Sequence, residues 1–127
     1  MNTPDMPRAI DALYAIGHSL IDTDRWEDAA KVFRVMLRLH PEDERPWLGL
    51  GHCHEQLGED DIASEIYGAG AAVLMHRSPR CFLALSRIRR RMKDHDLADE
   101  SLDICAAIVG EGGHDEVEAL LRQELAS

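Results

Sequence analysis

The chain repeats itself with a period of 34 to 35 residues, and this periodicity restricts its fold more than any other feature of the sequence. The first unit contains Leu13-Tyr14-Ala15-Ile16-Gly17, which returns as Trp47-Leu48-Gly49-Leu50-Gly51 and, more loosely, as Phe82-Leu83-Ala84-Leu85-Ser86. Downstream in each unit an alanine precedes a bulky apolar residue by four positions: Ala29 and Phe33, Ala63 and Tyr67, Ala98 and Leu102. So short a repeat cannot bury its apolar face alone, and successive units are therefore expected to stack.

Each unit has the pattern of two α-helices, because apolar residues recur at i, i+3 and i+4 without strand-like alternation. Helix ends are marked where His40-Pro41 closes one helix, Pro46 fits the first turn of the next and Gly58 ends it. The predicted helices span 8–22, 25–38, 44–57, 60–74, 79–92 and 95–109, with a capping helix at about 113–126. We therefore expect an all-α fold.

We predict a single domain over residues 1–127, with helix-turn-helix repeats at about 10–43, 44–77 and 79–110. Small residues on the first helix of each unit are expected to face alanines on the second, which allows two antiparallel helices to approach closely. These predicted pairs are Gly17 with Ala29, Gly51 with Ala63, and Ser86 with Ala98.

This pattern resembles the tetratricopeptide repeat over roughly residues 10–110. The family pattern is matched at Trp47, Leu50, Gly51, Ala63 and Tyr67, and at Gly17, Ala29, Phe33 and Pro41. The third unit departs from it, since Ser86 and Leu102 replace the glycine and the aromatic residue and Lys93 replaces the inter-helix glycine. The resemblance implies a right-handed α-solenoid of three repeats followed by a capping helix.

The composition argues against several functions. The net charge of −10 and the 5% aromatic content disfavour nucleic-acid binding. No apolar stretch approaches the roughly 18–20 residues of a membrane span, and the N-terminus lacks the features of a secretion signal, so we expect a cytoplasmic protein. The three cysteines are odd in number and widely spaced, which indicates reduced thiols.

No catalytic, metal or cofactor site is predicted. Neighbouring side chains of His52-Cys53-His54 would point in different directions on a helix, and we expect Cys53 in the helix pair and the histidines toward groove and surface. The segment Gly68–Ala72 resembles part of a dinucleotide fingerprint but lacks a preceding strand, so close helix packing is the better interpretation. We expect a binding protein rather than an enzyme.

In solenoids of this kind the first helix of each pair lines the inner side, which forms the natural binding groove. The predicted groove residues are Tyr14, His18, Ile21, Arg45, Leu48, His52, Leu83 and Arg87. Tyr14, Leu48 and Leu83 fall at equivalent register and would form an apolar track for an extended peptide, although any one of them could instead belong to the core.

Basic charge is concentrated in residues 77–93, which hold 7 of the 14 Lys and Arg residues and no acidic residue. The predicted basic patch comprises Arg77, Arg80, Arg87, Arg90 and Arg91. These arginines could grip an acidic segment of a partner, or they could neutralise acids on neighbouring helices, notably Asp94, Asp96, Asp99 and Glu100.

The ordered segments Trp26–Phe33, Arg45–Cys53 and Ser78-Pro79-Arg80 are similar to those of class II chaperones of bacterial type III secretion. The resemblance implies a cytoplasmic chaperone that holds an extended segment of a secreted translocator in its groove. Tyr14, Leu48, His52 and Leu83 would lie in that groove, with Arg80 and Arg87 at its rim. Homodimerisation stays open, because only about seven residues precede the first helix, whereas family members usually carry a longer extension there.

Two alternatives remain from the sequence. A related short tetratricopeptide protein is a co-chaperone of the needle subunit, and a scaffold or regulatory module could dock an acidic partner through the third repeat. No membrane or nucleic-acid partner is expected in any of these cases.

Overall fold

The computed structural model describes residues 5–126. Its α-helices are α1 (Met6–Asp22), α2 (Trp26–Leu39), α3 (Glu44–Gln56), α4 (Asp60–Leu74), α5 (Pro79–Arg91), α6 (His95–Gly110) and α7 (Asp115–Ala126). A short 3₁₀ helix, Met75–Arg77, follows α4, and no strand occurs between residues 5 and 126. The helices agree with the predicted ones to within two residues at each end, so the predicted all-α solenoid is confirmed.

Local side chains determine where several helices begin. The carboxylate of Asp43 accepts a hydrogen bond of 3.0 Å from the Arg45 amide at the start of α3. The hydroxyl of Ser78 accepts one of 3.3 Å from the Cys81 amide, directly before Pro79 opens α5. These caps satisfy amides that have no partner within the helix.

The two helices of every repeat are joined by the same backbone turn. Asp24, Gly58 and Lys93 occupy equivalent positions with φ angles of 58°, 76° and 68°. After each of them, an amide bonds the carbonyl five residues earlier, as from Glu59 to His54 at 2.8 Å. The turn therefore requires a left-handed residue, and Lys93 adopts this conformation where glycine was expected.

The core consists of three apolar clusters in succession along the stack, centred on the α1–α2–α3, α3–α4–α5 and α5–α6–α7 contacts. Ala29, Ala63 and Ala98 are fully buried. The nearest neighbours of Gly17 and Gly51, however, are the rings of Phe33 and Tyr67 rather than these alanines. The small residues therefore admit aromatic rings between the helices, which differs from the predicted contact of small residue with small residue.

Gly70 shows the same close packing on α4. A Cβ atom at this position would lie 2.9 Å from the Cβ of Trp47 and 3.2 Å from the Sγ of Cys81. The glycine-rich segment 68–72 is thus part of a helix interface. Within residues 5–126, no helix is both long enough and apolar enough to cross a bilayer.

Candidate functional site

The main candidate site is a cavity of about 500 Å³ between α1 and α3, which we call the groove cavity. Its lining residues are Tyr14, His18, Ile21, Phe33, Glu44, Arg45, Leu48, Gly49, His52 and Arg80. Six of the eight residues predicted for the groove therefore meet in one cavity. They meet because α1 and α3 are equivalent helices, so that residues 34 apart, such as His18 and His52, lie side by side.

One wall of the groove cavity is polar and held by mutual contacts. The Tyr14 hydroxyl and His18 Nε2 share a hydrogen bond of 2.8 Å, and the Arg45 guanidinium lies 4.8 Å from the centre of the Tyr14 ring. Arg45 is fixed by ion pairs of 2.6 Å with Asp43 and 3.0 Å with Asp11. This wall presents donors and an aromatic face that suit a peptide backbone.

The Asp43 carboxylate raises the pKa of the Arg45 guanidinium well above its ordinary value, through a side-chain hydrogen bond. Burial alone would raise the pKa of Asp43, but the hydrogen bonds from the Arg45 side chain and amide outweigh it and leave this pKa lowered. The pair therefore keeps both charges at neutral pH, and the wall has a constant electrostatic character there.

The remaining wall of the groove cavity is more apolar. Leu48 and Ile21 are half-buried at its surface, and the His52 ring packs edge-on against Trp26 with 5.4 Å between ring centres. Apolar side chains exposed inside a cavity lose contact with water when a ligand enters, which favours binding.

The floor of the groove cavity is formed by Gly49 and Phe33, which sequence reasoning did not place in the groove. A Cβ atom at Gly49 would lie 2.6 Å from the Phe33 ring, so only glycine leaves room for this fully buried ring. The sequence did contain a signal for this contact. Gly51 belongs to the repeat pattern but Gly49 does not, and an additional glycine in a helix suggests a second close contact.

Leu83 requires a correction, since it does not line the groove cavity. It is only 2% exposed and packs in one cluster with Cys105, Val117 and Leu121. The last two residues belong to α7, so the C-terminal helix covers the third position of the predicted apolar track. Arg87 also lies outside the groove cavity, where its Nε donates a hydrogen bond of 2.8 Å to Glu124 of α7.

Most arginines of the predicted basic patch already have carboxylate partners. Arg80 pairs with Glu116 at 2.6 Å, Arg90 with Asp99 at 2.8 Å, and Arg91 with both Glu55 and Asp60. Arg77 donates instead to the carbonyls of Val73 and Leu74. Of the four acids considered from the sequence, Asp99 is such a partner within residues 5–126. The remaining partners lie on other helices: Glu116 and Glu124 on α7, Glu55 on α3 and Asp60 on α4.

The residues of His52-Cys53-His54 point in three directions. Cys53 is buried, and burial raises the pKa of its thiol to about 11. His54, which we expected at the surface, is 5% exposed, accepts a hydrogen bond of 2.9 Å from Arg34 and lies 3.2 Å from Glu59. Among residues 5–126 we find no group of three His, Cys, Asp or Glu side chains arranged for a metal ion.

Comparisons with known proteins extend this description. A tetratricopeptide-repeat family model matches residues 10–53. The low calcium response locus protein H of Yersinia pestis is 34% identical over 71 residues, which cover 56% of this chain and 42% of that protein. The chain thus spans less than half the length of the curated relative it matches.

Two solved structures align over nearly the whole chain. PcrH of Pseudomonas aeruginosa, in complex with the chaperone binding region of PopB, is 25% identical with a TM-score of 0.80, covering 96% of this chain and 97% of PcrH. SycD, a type III secretion translocator chaperone of Yersinia enterocolitica, is 24% identical with a TM-score of 0.79, covering 94% of this chain and 90% of SycD. Residues 10–53 thus match the tetratricopeptide repeat, and the chain as a whole has the fold of PcrH and of the type III secretion translocator chaperone SycD.

Proposed function

We propose that the chain is a bacterial cytoplasmic chaperone of type III secretion, which binds an extended segment of a translocator-like protein in the groove cavity. The observation that carries the proposal is the groove cavity itself, where equivalent helices bring together an apolar wall, a polar wall and an aromatic floor. The likeness to PcrH, a protein solved with the chaperone binding region of PopB, supports a peptide as the ligand.

The two walls suit complementary parts of an extended peptide. Leu48 and Ile21 would bury apolar side chains of the cargo, while Tyr14, His18 and Arg45 would bond its carbonyl groups. Holding a hydrophobic segment in this way keeps it from aggregating before export and requires no bond to be made or broken. The proposal is therefore that of a binding protein without enzymatic activity.

The ion pairs of the third repeat argue against the alternative, in which arginines dock an acidic partner. Such a partner would first have to displace Glu116, Glu124, Asp99 and Asp60 from the arginines they already bind. Leu48 and Ile21, by contrast, line the open space of the groove cavity, where no other side chain of residues 5–126 would have to be displaced from an ion pair.

The test is co-expression of the chain with a candidate translocator, followed by affinity measurement on the purified complex. Leu48→Asp should weaken binding by about tenfold or more, since burial of a leucine contributes roughly 1.5–3 kcal/mol. Ile16→Asp is the matched control, because Ile16 is 51% exposed and does not line the groove cavity.

Salt distinguishes the two binding modes. A complex held by apolar contacts should survive about 1 M NaCl, where the Debye length is about 3 Å. A complex that dissociates in salt and is unaffected by Leu48→Asp would contradict the proposal and favour docking on the arginines.

A further inference from the structure

The groove cavity adjoins a second cavity beside α7. This second cavity, of about 250 Å³, lies between the starts of α3, α5 and α7. Glu44 and Arg80 line both cavities. The Arg80 guanidinium lies 3.7 Å from the Glu44 carboxylate and 2.6 Å from that of Glu116 on α7. A peptide that leaves the groove cavity on the Arg80 side therefore meets α7.

The surface of α5 beneath α7 continues the apolar positions of the first two repeats. Leu83 occupies the same repeat position as Tyr14 and Leu48, which are half-buried and line the groove cavity. Leu83 itself is 2% exposed and packs in one cluster with Val117 and Leu121 of α7. Thus α7 covers the third position of a series whose first two positions are open to a ligand.

Ion pairs hold α7 at both ends of this contact. Arg80 pairs with Glu116 at 2.6 Å. About two turns later on both helices, Arg87 pairs with Glu124 at 2.8 Å, so α7 runs parallel to α5. The covered surface has an apolar centre, Leu83, with a cation on either side, and we call these three residues of α5 the third subsite.

The connection to α7 imposes little constraint on where this helix lies. Gly112 and Gly113 have φ angles of 92° and 86°, and a Cβ atom at either position would meet nothing within 4 Å apart from its chain neighbours. Of residues 115–126, Val117 and Leu121 are the buried ones, and the Glu116 side chain is 86% exposed. Exposed ion pairs and few buried side chains allow a helix to detach while the rest of the protein stays folded.

We propose that the third subsite binds cargo, and that α7 is its displaceable occupant. The cargo segment that fits it carries apolar residues with a carboxylate on either side, which is the chemistry that α7 presents to Leu83, Arg80 and Arg87. This inference rests on the proposed function, because the cargo reaches the third subsite from the groove cavity.

Apolar contact drives the exchange of α7 for cargo. Replacing one carboxylate by another at Arg80 or Arg87 gains nothing, so an acidic partner without apolar residues would leave α7 in place. Cargo that is already bound at Leu48 extends its buried apolar surface when it also covers Leu83. While α7 is docked, it lowers the apparent affinity for such cargo, because only the open fraction of molecules can bind the whole segment.

A peptide with the sequence of residues 114–126 tests the third subsite without any cargo. The fluorescein-labelled peptide is titrated, by anisotropy, with the full chain carrying Glu116→Arg and Glu124→Arg, in which like charges repel α7 from Arg80 and Arg87. This reversed form should bind the peptide at least about tenfold more tightly than the wild type does, because the tethered α7 of the wild type competes at a high effective concentration.

The matched control carries Glu100→Arg and Glu111→Arg, the same changes at exposed positions outside α7. It should bind the peptide as weakly as the wild type, and a peptide with both charge reversals should bind none of the forms. Circular dichroism should show that each form is folded. If the reversed form is not, Glu116→Gln with Glu124→Gln takes its place and should bind more tightly than the wild type. A folded form that binds the peptide no better than the control would overturn the proposal.

Hydrogen exchange on the complex with a candidate translocator separates this inference from the proposed function. Cargo should protect the amides of α1 and α3 and speed exchange in residues 115–126 by at least about tenfold, as α7 leaves the third subsite. Protection of α1 and α3 with unchanged exchange in α7 would overturn the inference and leave the proposed function in place. A complex without protection of α1 and α3 would contradict the proposed function and, with it, the delivery of cargo to the third subsite.

Discussion

Replacing Lys93 by glycine is expected to stabilise the protein. Lys93 ends the turn between α5 and α6 with a φ of 68°, a region that side chains with a Cβ atom disfavour. Its counterpart in the second repeat is Gly58, with a φ of 76° in the same hydrogen-bonded turn. The two turns therefore form a natural pair in which one residue suits the backbone and the other does not.

The size of the effect follows from two opposing contributions. A left-handed conformation costs a residue with a Cβ atom about 1–2 kcal/mol. Glycine avoids this cost but makes the unfolded chain more flexible, which lowers the free energy of unfolding by about 0.4–1 kcal/mol. We expect Lys93→Gly to raise the free energy of unfolding by about 0.5–1 kcal/mol and the melting temperature by about 2–4 °C.

The assay is urea unfolding followed by circular dichroism. Lys93→Ala is the control for loss of the charge and should give no stabilisation, since alanine keeps the strained backbone. Gly58→Ala should lower the free energy of unfolding by about 1 kcal/mol, the converse change at the equivalent turn. Equal stability of Lys93→Gly and Lys93→Ala would refute the reasoning, because the gain would then not come from the backbone.

Two further predictions concern packing and pH. Gly51→Ala should lower the free energy of unfolding by about 1 kcal/mol in the same urea assay, because overpacking against the buried Tyr67 ring outweighs the better helix propensity of alanine. Gly68→Ala is the control and should be neutral or stabilising, because a Cβ atom at Gly68 would have no neighbour closer than 4.0 Å. The hydrogen bond from Arg91 lowers the pKa of Asp60 in the folded protein. The ion pair therefore stabilises the folded state fully above the unfolded pKa of about 3.9, and this stabilisation is lost as pH falls through the lower folded pKa. Arg91→Met should therefore cost about 1 kcal/mol at pH 7 in chemical denaturation, and a difference that persists undiminished at pH 2 would contradict this assignment.

The fold was predictable because the repeat encodes it redundantly. Helix ends, left-handed turn residues and positions with small side chains all recur at intervals of 34 to 35 residues. An assignment made in one repeat is therefore supported by the same feature in the next. The same register brought Tyr14, Leu48 and His52 to one cavity, since equivalent helices stack side by side.

The third repeat was predicted less well, because its environment depends on α7. Leu83 occupies the same repeat position as Leu48 and was therefore predicted to line the groove. In the structure, α7, which follows the glycine-rich segment 110–113, covers Leu83. A segment outside the repeat has no counterpart to fix its docking position, and its contacts arise only in the tertiary structure.

The ion pairs between repeats were not predicted, for a related reason, although the Arg90–Asp99 pair was among those considered. These pairs join different repeats: Arg45 binds Asp11, 34 residues away, and Arg80 binds Glu116, 36 residues away. In stacked repeats, a residue one period distant is a closer neighbour than most residues of the same hairpin.

The Phe33 ring lies against both Gly17 and Gly49, and thus joins the first repeat to the second while forming the floor of the groove cavity, the proposed peptide site. A mutation of Phe33 or of either glycine would alter both cargo recognition and folding. A variant selected for a new cargo would therefore also have a smaller folded fraction. Evolutionary change of specificity should therefore accumulate in the walls of the groove cavity, at Tyr14, His18 and His52, while the aromatic ring and its two glycines stay constant among orthologues.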